Sequence, residues 1–431
     1  MRTFYTVWAG QLVSLLGSGL TNFGLGVWVF QKTGSATLFS TIAFLAILPG
    51  ILAAPVAGVM VDRWNRRLIM LASDCLSALI VGIVALIVIS GNLQVWTVMV
   101  LAALTSAFAA FQVPAYQASV STLVPKEQLG RAAGMVQMGQ AVADLASPAL
   151  GGSLYAVIGL RGLILFDFVS FFFGIATLAV TRFPKVQQHQ GQHTKPSFRR
   201  EFQEGWKFIR ERRGLLLLLA YFAMLNLLLP MAGVLFAPLM LSFAGPKQFG
   251  IAASIIGLGM LVGSVVMSAW GGPKNRILGV LGSGLLLGLF LGMVGLRANL
   301  TWLAACGFLM MFVSPIVNGT SQAIWQAKTP LNLQGRVFSV RRMIAQGTAP
   351  LAMLMSGPIV DRVFSPAMMP GGSLTPYFGP LIGTGPGRGT GLLFIVMGAL
   401  TVIGSAFAMV SPTMRTIDAN VPDAPSEFVS A

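Results

Sequence analysis

The chain has 431 residues, 55% of them hydrophobic and only 9% charged, with mean hydropathy +0.80 and a formal net charge of +16. Soluble domains carry about 25% charged residues, so these totals exclude a soluble globular protein and define an integral membrane protein. The excess Lys and Arg lies between apolar runs, where membrane topology accounts for it better than nucleic acid does.

The opening MRTFYTVWAGQLVSLLGSGL has a basic first turn, but its apolar run continues to Phe30 without a clean cleavage site, so it reads as a retained first helix. Gln11, Ser14, Ser18 and Asn22 share one stripe of that helix. Such a stripe faces either a wet cavity or polar contacts between helices.

Next comes GVMVDRWNRRLIM, which places Asp62, Arg63, Arg66 and Arg67 between two long apolar runs. Thr37 to Val61 carries no charge, and Leu68 to Ser90 carries only Asp74. Each flank can cross about 30 Å of hydrocarbon as a helix, so the cluster is a short turn outside the bilayer. Asp62 and Arg63 sit at a helix end, where they can pair with each other and with exposed backbone groups. Asn65 suits a left-handed turn.

Twelve spanning segments follow from the hydropathy, over 4–30, 37–61, 68–90, 94–117, 131–158, 161–181, 214–241, 248–270, 277–296, 300–325, 336–362 and 389–410. The expected organisation is a first six-helix bundle over 1–181, a linker over 182–213, a second bundle over 214–410 and a disordered tail over 411–431. In the linker, Phe198, Phe202, Trp206 and Ile209 share one helical face, which predicts an amphipathic helix lying on the inner leaflet. With the N-terminus inside, 22 of the 28 Lys and Arg fall on the cytoplasmic side, so both termini are expected there.

Three acids lie within spans, where burying a carboxylate costs a few kcal/mol or more. Asp144 is fourteen residues past Gly130, about 20 Å along the fifth segment. It reads as a proton or substrate site, or else as a structural hydrogen-bonded acid; Gln137 and Gln140 share its helix. Asp74 reads as a partner for one of the inner arginines or as a coupling group, and Asp167 as a satisfied acid at the outer end of the sixth segment. Asn226, Asn318, Ser321 and Gln322 are the polar positions of the seventh and tenth segments. Cys75 and Cys306 read as small buried residues without disulfide or metal spacing. Asp361 and Arg362 close the eleventh segment as a local ion pair or an outer gate contact, and Gly385 to Gly389 is a turn.

The halves repeat. Phe111, Pro114, Pro125, Gly130 and Arg131 are answered by Phe312, Pro315, Pro330, Gly335 and Arg336. Arg161-Gly162 is echoed by Arg388-Gly389, and Asn65-Arg66 more faintly by Asn275-Arg276. Parallel halves of this kind are a transporter architecture with substrate near the midplane. No Gly-Lys-Ser/Thr occurs, so no nucleotide is expected as an energy source, and neither cofactor nor metal is implied.

GVMVDRWNRRLIM resembles the G-x-x-x-D-R-x-G-R-[RK] loop of the major facilitator superfamily at Gly58, Asp62, Arg63, Arg66 and Arg67, with Asn65 in place of the second glycine. The fifth segment is similar to the exporter motif ending in G-P-x-x-G-G, matched by Gly134, Pro148, Gly151 and Gly152, while Ala143 and Ser147 stand where glycines are usual. The opening WAGQLVSLLGSGLTNFGLGVWVFQKTGSA and GTGPGRGTGLLF resemble the macrolide-efflux branch. The resemblance implies an all-α membrane fold of twelve helices in two pseudo-symmetric bundles, alternating access, and a conformational latch at the Asp62 loop with Arg131 and Arg336. The fourth-segment arginine common in drug/proton antiporters is absent from Val95 to Gln117. The reading is therefore a monomeric, non-enzymatic exporter of an amphipathic small molecule in a bacterial inner membrane. Proton coupling falls to Asp144 or Asp74, with Gln11, Ser18, Asn22, Gln140, Asn226 and Asn318 as passage candidates. Alternatives are a siderophore or lysophospholipid exporter and, more remotely, a receptor or scaffold.

Overall fold

The structure is a computed structural model that describes residues 2–125, 128–181, 198–415 and 417. No strand occurs among the described residues. The helices in chain order are α1 (Arg2–Thr33), α2 (Ala36–Leu45), α3 (Leu48–Arg63), α4 (Arg66–Ile89), α5 (Val95–Leu123), α6 (Leu129–Val180), α7 (Phe198–Glu211), α8 (Arg213–Leu241), α9 (Pro246–Trp270), α10 (Arg276–Val294), α11 (Leu300–Lys328), α12 (Leu331–Ile359), α13 (Ser365–Met368), α14 (Thr375–Ile382), α15 (Arg388–Val410) and α16 (Pro412–Arg415).

Among the described residues, eleven helical runs are long and apolar enough to cross a membrane. One of them, Arg131–Val180, has 50 residues, about 75 Å of helix and more than twice a bilayer core. It turns at Gly159, whose φ of 65° and ψ of −174° only glycine adopts without strain. α6 is therefore two spans, and the total is twelve.

Three local expectations change. The second segment is broken between α2 and α3, with Pro49 in the first turn of α3, where a residue without an N–H costs least. Asn65 is not left-handed: its φ is −66° and its side chain accepts from the Arg67 N–H at 3.0 Å, capping α4. Asn275 caps α10 in the same way, accepting from Leu278 N at 3.0 Å, so the faint repeat between the halves is a shared helix cap. The eleventh segment does not close at Arg362. A π-helical turn over Val360–Phe364 contains Asp361 and Arg362 and leads into α13. Pro366 cannot donate to the carbonyl four residues back, which favours the widened turn there.

The chain folds as two compact units, Met1–Gln190 with Met240–Ser254, and Gly191–Leu239 with Ile255–Ala431. In the first unit α1 runs along both limbs of α6, α4 packs on α5 and α6, and α3 packs on α5. Gly10, Gly17 and Gly24, seven apart on α1, face Thr177, Ser170 and Leu163 of the second limb. One apolar cluster holds Leu25, Ala78, Leu101 and Ile164, and another holds Phe4, Met70, Ala115 and Leu178. On α1, α4 and α5 the polar residues Gln11, Asp74 and Gln112 fall between the two clusters.

In the second unit α10 packs on α11 and α15. α7 packs on α12, with Ile209 of its apolar face buried and Phe202 and Trp206 partly buried. Ile209 is fully buried, Glu204 pairs with Arg336, and a methyl at Gly205 would stand 2.7 Å from the Arg336 carbonyl. The pattern shows that one face is apolar, but not whether lipid or protein covers it. The side chain of Phe198 and the linker 182–197 lie outside the described residues.

A methyl at Gly17 would stand 2.9 Å from Asp167 Oδ1, so a larger side chain must separate α1 from α6. Gly17→Leu is expected to cost about 1–3 kcal/mol, measured as an earlier thermal unfolding transition of the purified protein. An unchanged transition would contradict this packing.

Candidate functional site

The acid that the sequence assigned to the inner arginines is held elsewhere. Asp74 is 4% exposed, and its two carboxylate oxygens accept from Gln11 Nε2 at 3.2 Å and from Gln112 Nε2 at 2.8 Å. Gln112 Nε2 also reaches Gln11 Oε1 at 2.8 Å. α1, α4 and α5 are thus joined by three neutral or acidic side chains, eight residues into α4 and about 12 Å from its start.

Arg66 and Arg67 go to carbonyls instead. Arg66 Nη1 donates to Ala118 O at 2.8 Å, and Arg67 donates to Leu178 O at 2.9 Å and Ala179 O at 2.6 Å. Leu178 and Ala179 belong to the last turn of α6, where carbonyls lack helical partners and the helix dipole favours a cation. An arginine at the start of α4 reaches those groups sooner than an acid two turns deeper. Of the other latch residues, Gly58 has no close neighbour at its Cβ position, Arg131 is exposed, and Arg336 is engaged by Glu204. The side chains of Asp62 and Arg63 lie outside the described residues.

Asp167 is not a surface-end acid. It is 1% exposed, and its Oδ1 accepts from Ser18 Oγ at 3.2 Å and Ser170 Oγ at 3.4 Å. The turn at Gly159 places it about 12 Å into the second limb of α6, and Gly17 lets α1 close over it. The α1 stripe is consequently split. Gln11 and Ser18 serve as contacts between helices, Ser14 is buried beside Gly174, and only Asn22 is exposed.

Asp144 differs from both buried acids. It is exposed, and Gln140 Nε2 donates to its Oδ1 at 3.0 Å. Pro148 and Gly152 follow at one-turn intervals, and their backbones lie against Gly250 and Pro246 at the start of α9, within the first unit. Ser254 Oγ donates to Leu145 O at 2.7 Å, and Phe23 stacks on Phe249 at 5.2 Å. Gly151 lies against Phe23, while Gly134 has no close neighbour. At Pro148 and Gly152 the exporter-like stretch allows close backbone approach to α9.

The second unit contains a cavity of about 180 Å³ lined by Phe222, Asn226, Asn318, Gln322, Phe338, Arg341 and Arg342. Arg341 Nη1 donates to Gln322 Oε1 at 2.6 Å, and its guanidinium lies 5.4 Å from the Trp325 ring. Asn226 and Asn318 were legible as polar interruptions of apolar helices. The two arginines were counted as topology charges, yet they lie ten and eleven residues into α12. That depth was the signal that distinguishes them from Arg336. Gln112 was also missed, although it is a glutamine inside an otherwise apolar run, two residues before Pro114.

Cys306 is buried as expected, whereas Cys75 is exposed, because α4 turns Asp74 inward and the next residue outward. Among the described residues no cluster of His, Cys, Asp or Glu could hold a metal ion.

Gln112→Leu removes the donor shared by Asp74 and Gln11. It is expected to destabilise the protein by about 1–3 kcal/mol, as for a buried polar group stripped of its partner. Thermal unfolding of Gln112→Leu, Asp74→Leu and the double variant checks this, since coupled residues must give non-additive losses.

The Major Facilitator Superfamily family model matches residues 7–353. Macrolide efflux protein A of Streptococcus pyogenes is 31% identical over 364 residues, covering 84% of this chain and 90% of that protein. Macrolide efflux protein A of Enterococcus faecalis is 30% identical over 324 residues, 74% of this chain and 100% of that one. The multidrug efflux pump Tap of Mycobacterium tuberculosis is 28% identical over 363 residues, 81% and 85% respectively. Among solved structures, a bacterial homologue of the lysosomal transporter Spinster aligns with a TM-score of 0.71 at 14% identity, covering 96% of this chain and 97% of that one. The nucleoside transporter NupG gives 0.67 at 10% identity, covering 95% and 98%. Twelve spans, duplicated halves and a family match over most of the chain agree: this multi-pass membrane protein belongs to the Major Facilitator Superfamily and is a transporter of small molecules, not an enzyme.

Proposed function

We propose that the protein exports amphipathic or hydrophobic small molecules of macrolide or drug type, by proton antiport with alternating access. The observation that carries this reading is the 31% identity over 84% of the chain to a macrolide efflux protein. The distribution of Lys and Arg supports both termini lying in the cytoplasm, and the reading is completed by a monomer in the plasma membrane.

Proton coupling draws its support from the acids of the first unit. An ionisable group inside a span is costly and is retained where it binds a proton or a substrate. Asp144 is exposed on a spanning helix, with Gln140 as its hydrogen-bond donor. Asp74 has a different capacity. Its carboxylate accepts from two amides, and Gln112 Oε1 is buried with no partner among the described residues. On taking up a proton, Asp74 becomes a donor, and that unpaired oxygen offers an acceptor after a turn of the amide. Protonation would thus rearrange the joint between α1, α4 and α5. Arg66 and Arg67, which tie the start of α4 to α5 and α6, would carry such a change to the ends of those helices.

Asp144→Asn is expected to leave folding intact and to abolish macrolide export driven by a pH gradient in proteoliposomes; export at the wild-type rate would refute its coupling role. Cells overproducing the protein are expected to accumulate less of a labelled macrolide than cells lacking it. Equal accumulation across macrolides and chemically unrelated drugs would overturn the efflux reading.

A further inference from the structure

The spans of the first unit contain Asp74, Asp144 and Asp167, whereas residues 214–360 of the chain contain no Asp or Glu at all. Within that acid-free stretch, Arg341 and Arg342 line the cavity of the second unit. They lie about 15 Å along α12 from its first residue. Among the described residues no ion pair includes either one. Arg341 is partly buried and Arg342 is exposed to the cavity, and guanidiniums without an acid beside them in a spanning helix favour an anion there.

The surroundings orient the cations without neutralising them. Gln322 Oε1 accepts from Arg341 Nη1 at 2.6 Å, Ser321 Oγ lies 3.5 Å from Nη2, and the Trp325 ring lies 5.4 Å from the guanidinium centre. These contacts hold the planar fork and leave further N–H groups for a bidentate acceptor. Arg342 makes no hydrogen bond among the described residues. The amide nitrogens of Asn226 and Asn318 are turned to carbonyls of their own helices, at 2.8 Å and 3.0 Å. Their oxygens remain to accept from hydroxyls next to a bound anion. A volume of about 180 Å³ is below the roughly 300–1,000 Å³ that drug-sized ligands occupy. It suits one charged end of a molecule.

We propose that this cavity is an oxyanion-binding site, taking a phosphate or carboxylate that bears a neighbouring hydroxyl, with Arg341 and Arg342 clasping the anion and Asn226, Asn318 and Gln322 orienting it. The anion can arrive free or as the headgroup of a lipid. This goes beyond drug export and does not depend on it, because binding is read without transport.

The test uses the full-length protein in phosphatidylcholine nanodiscs, with the thermal unfolding midpoint as readout. Glycerol 3-phosphate and inorganic phosphate are titrated against sodium chloride at equal ionic strength, and a second set of nanodiscs contains phosphatidylglycerol. The wild-type midpoint should rise with the phosphates or with phosphatidylglycerol beyond the chloride control. Arg341→Gln and Arg342→Gln should lose that rise, and Arg415→Gln, outside the cavity, should keep it. A rise with phosphatidylglycerol alone assigns a lipid source, and one with the soluble phosphates assigns a free anion; both support the site. Should Arg341→Gln fail to fold, Arg341→Lys must retain a weakened rise while Asn226→Leu with Asn318→Leu reduces it. An equal rise in the Arg341 or Arg342 variants, or no rise above chloride in either membrane, overturns the proposal.

Discussion

A carboxylate buried in a membrane span must be surrounded by donors, and in this protein those donors are neutral. Asp74 is held by Gln11 and Gln112, and Asp167 by Ser18 and Ser170. The dependence on neutral partners places constraints on the rest of the first unit. α1, α4 and α5 must keep their polar residues in register between two apolar clusters, and α1 must carry glycine where it crosses Asp167. With neutral donors no ion pair is formed at either acid among the contacts described.

The charged side chains of the connecting turns serve a different purpose. Arg66 and Arg67 donate to backbone carbonyls at or near helix ends, and Asn65 caps the helix that carries them. The turn is therefore a fastening of α4 to α5 and α6 by backbone hydrogen bonds. In the second unit Arg336, the counterpart of the exposed Arg131, pairs with Glu204 and so holds the linker helix α7. The halves share the Pro-to-Gly-Arg spacing and the asparagine caps, but they have diverged in what their arginines hold.

Their buried chemistry has diverged as well. The first unit keeps acids on its spans, and the second keeps a pair of arginines with amides around them. The acids on the spans of the first unit and the arginines in the cavity of the second thus carry charge of opposite sign.

The membrane class, the twelve spans, the duplication and the superfamily loop were all determined by sequence, because hydrocarbon thickness sets the length of a span and a loop between two such spans has one place to go. Turn chemistry at Gly159 and helix capping at Asn275 were partly legible, as a boundary between segments and as an echo of Asn65. Tertiary structure alone decided which polar residues meet. Gln112, Asp74 and Gln11 are separated by dozens of residues, and helical periodicity orients each on its own helix without naming its neighbour. For the same reason Asp167 proved buried, α7 proved to lie on protein, and Arg341 and Arg342 proved to line a cavity. Exposure depends on what packs against a residue, and one helix's own sequence does not contain that information.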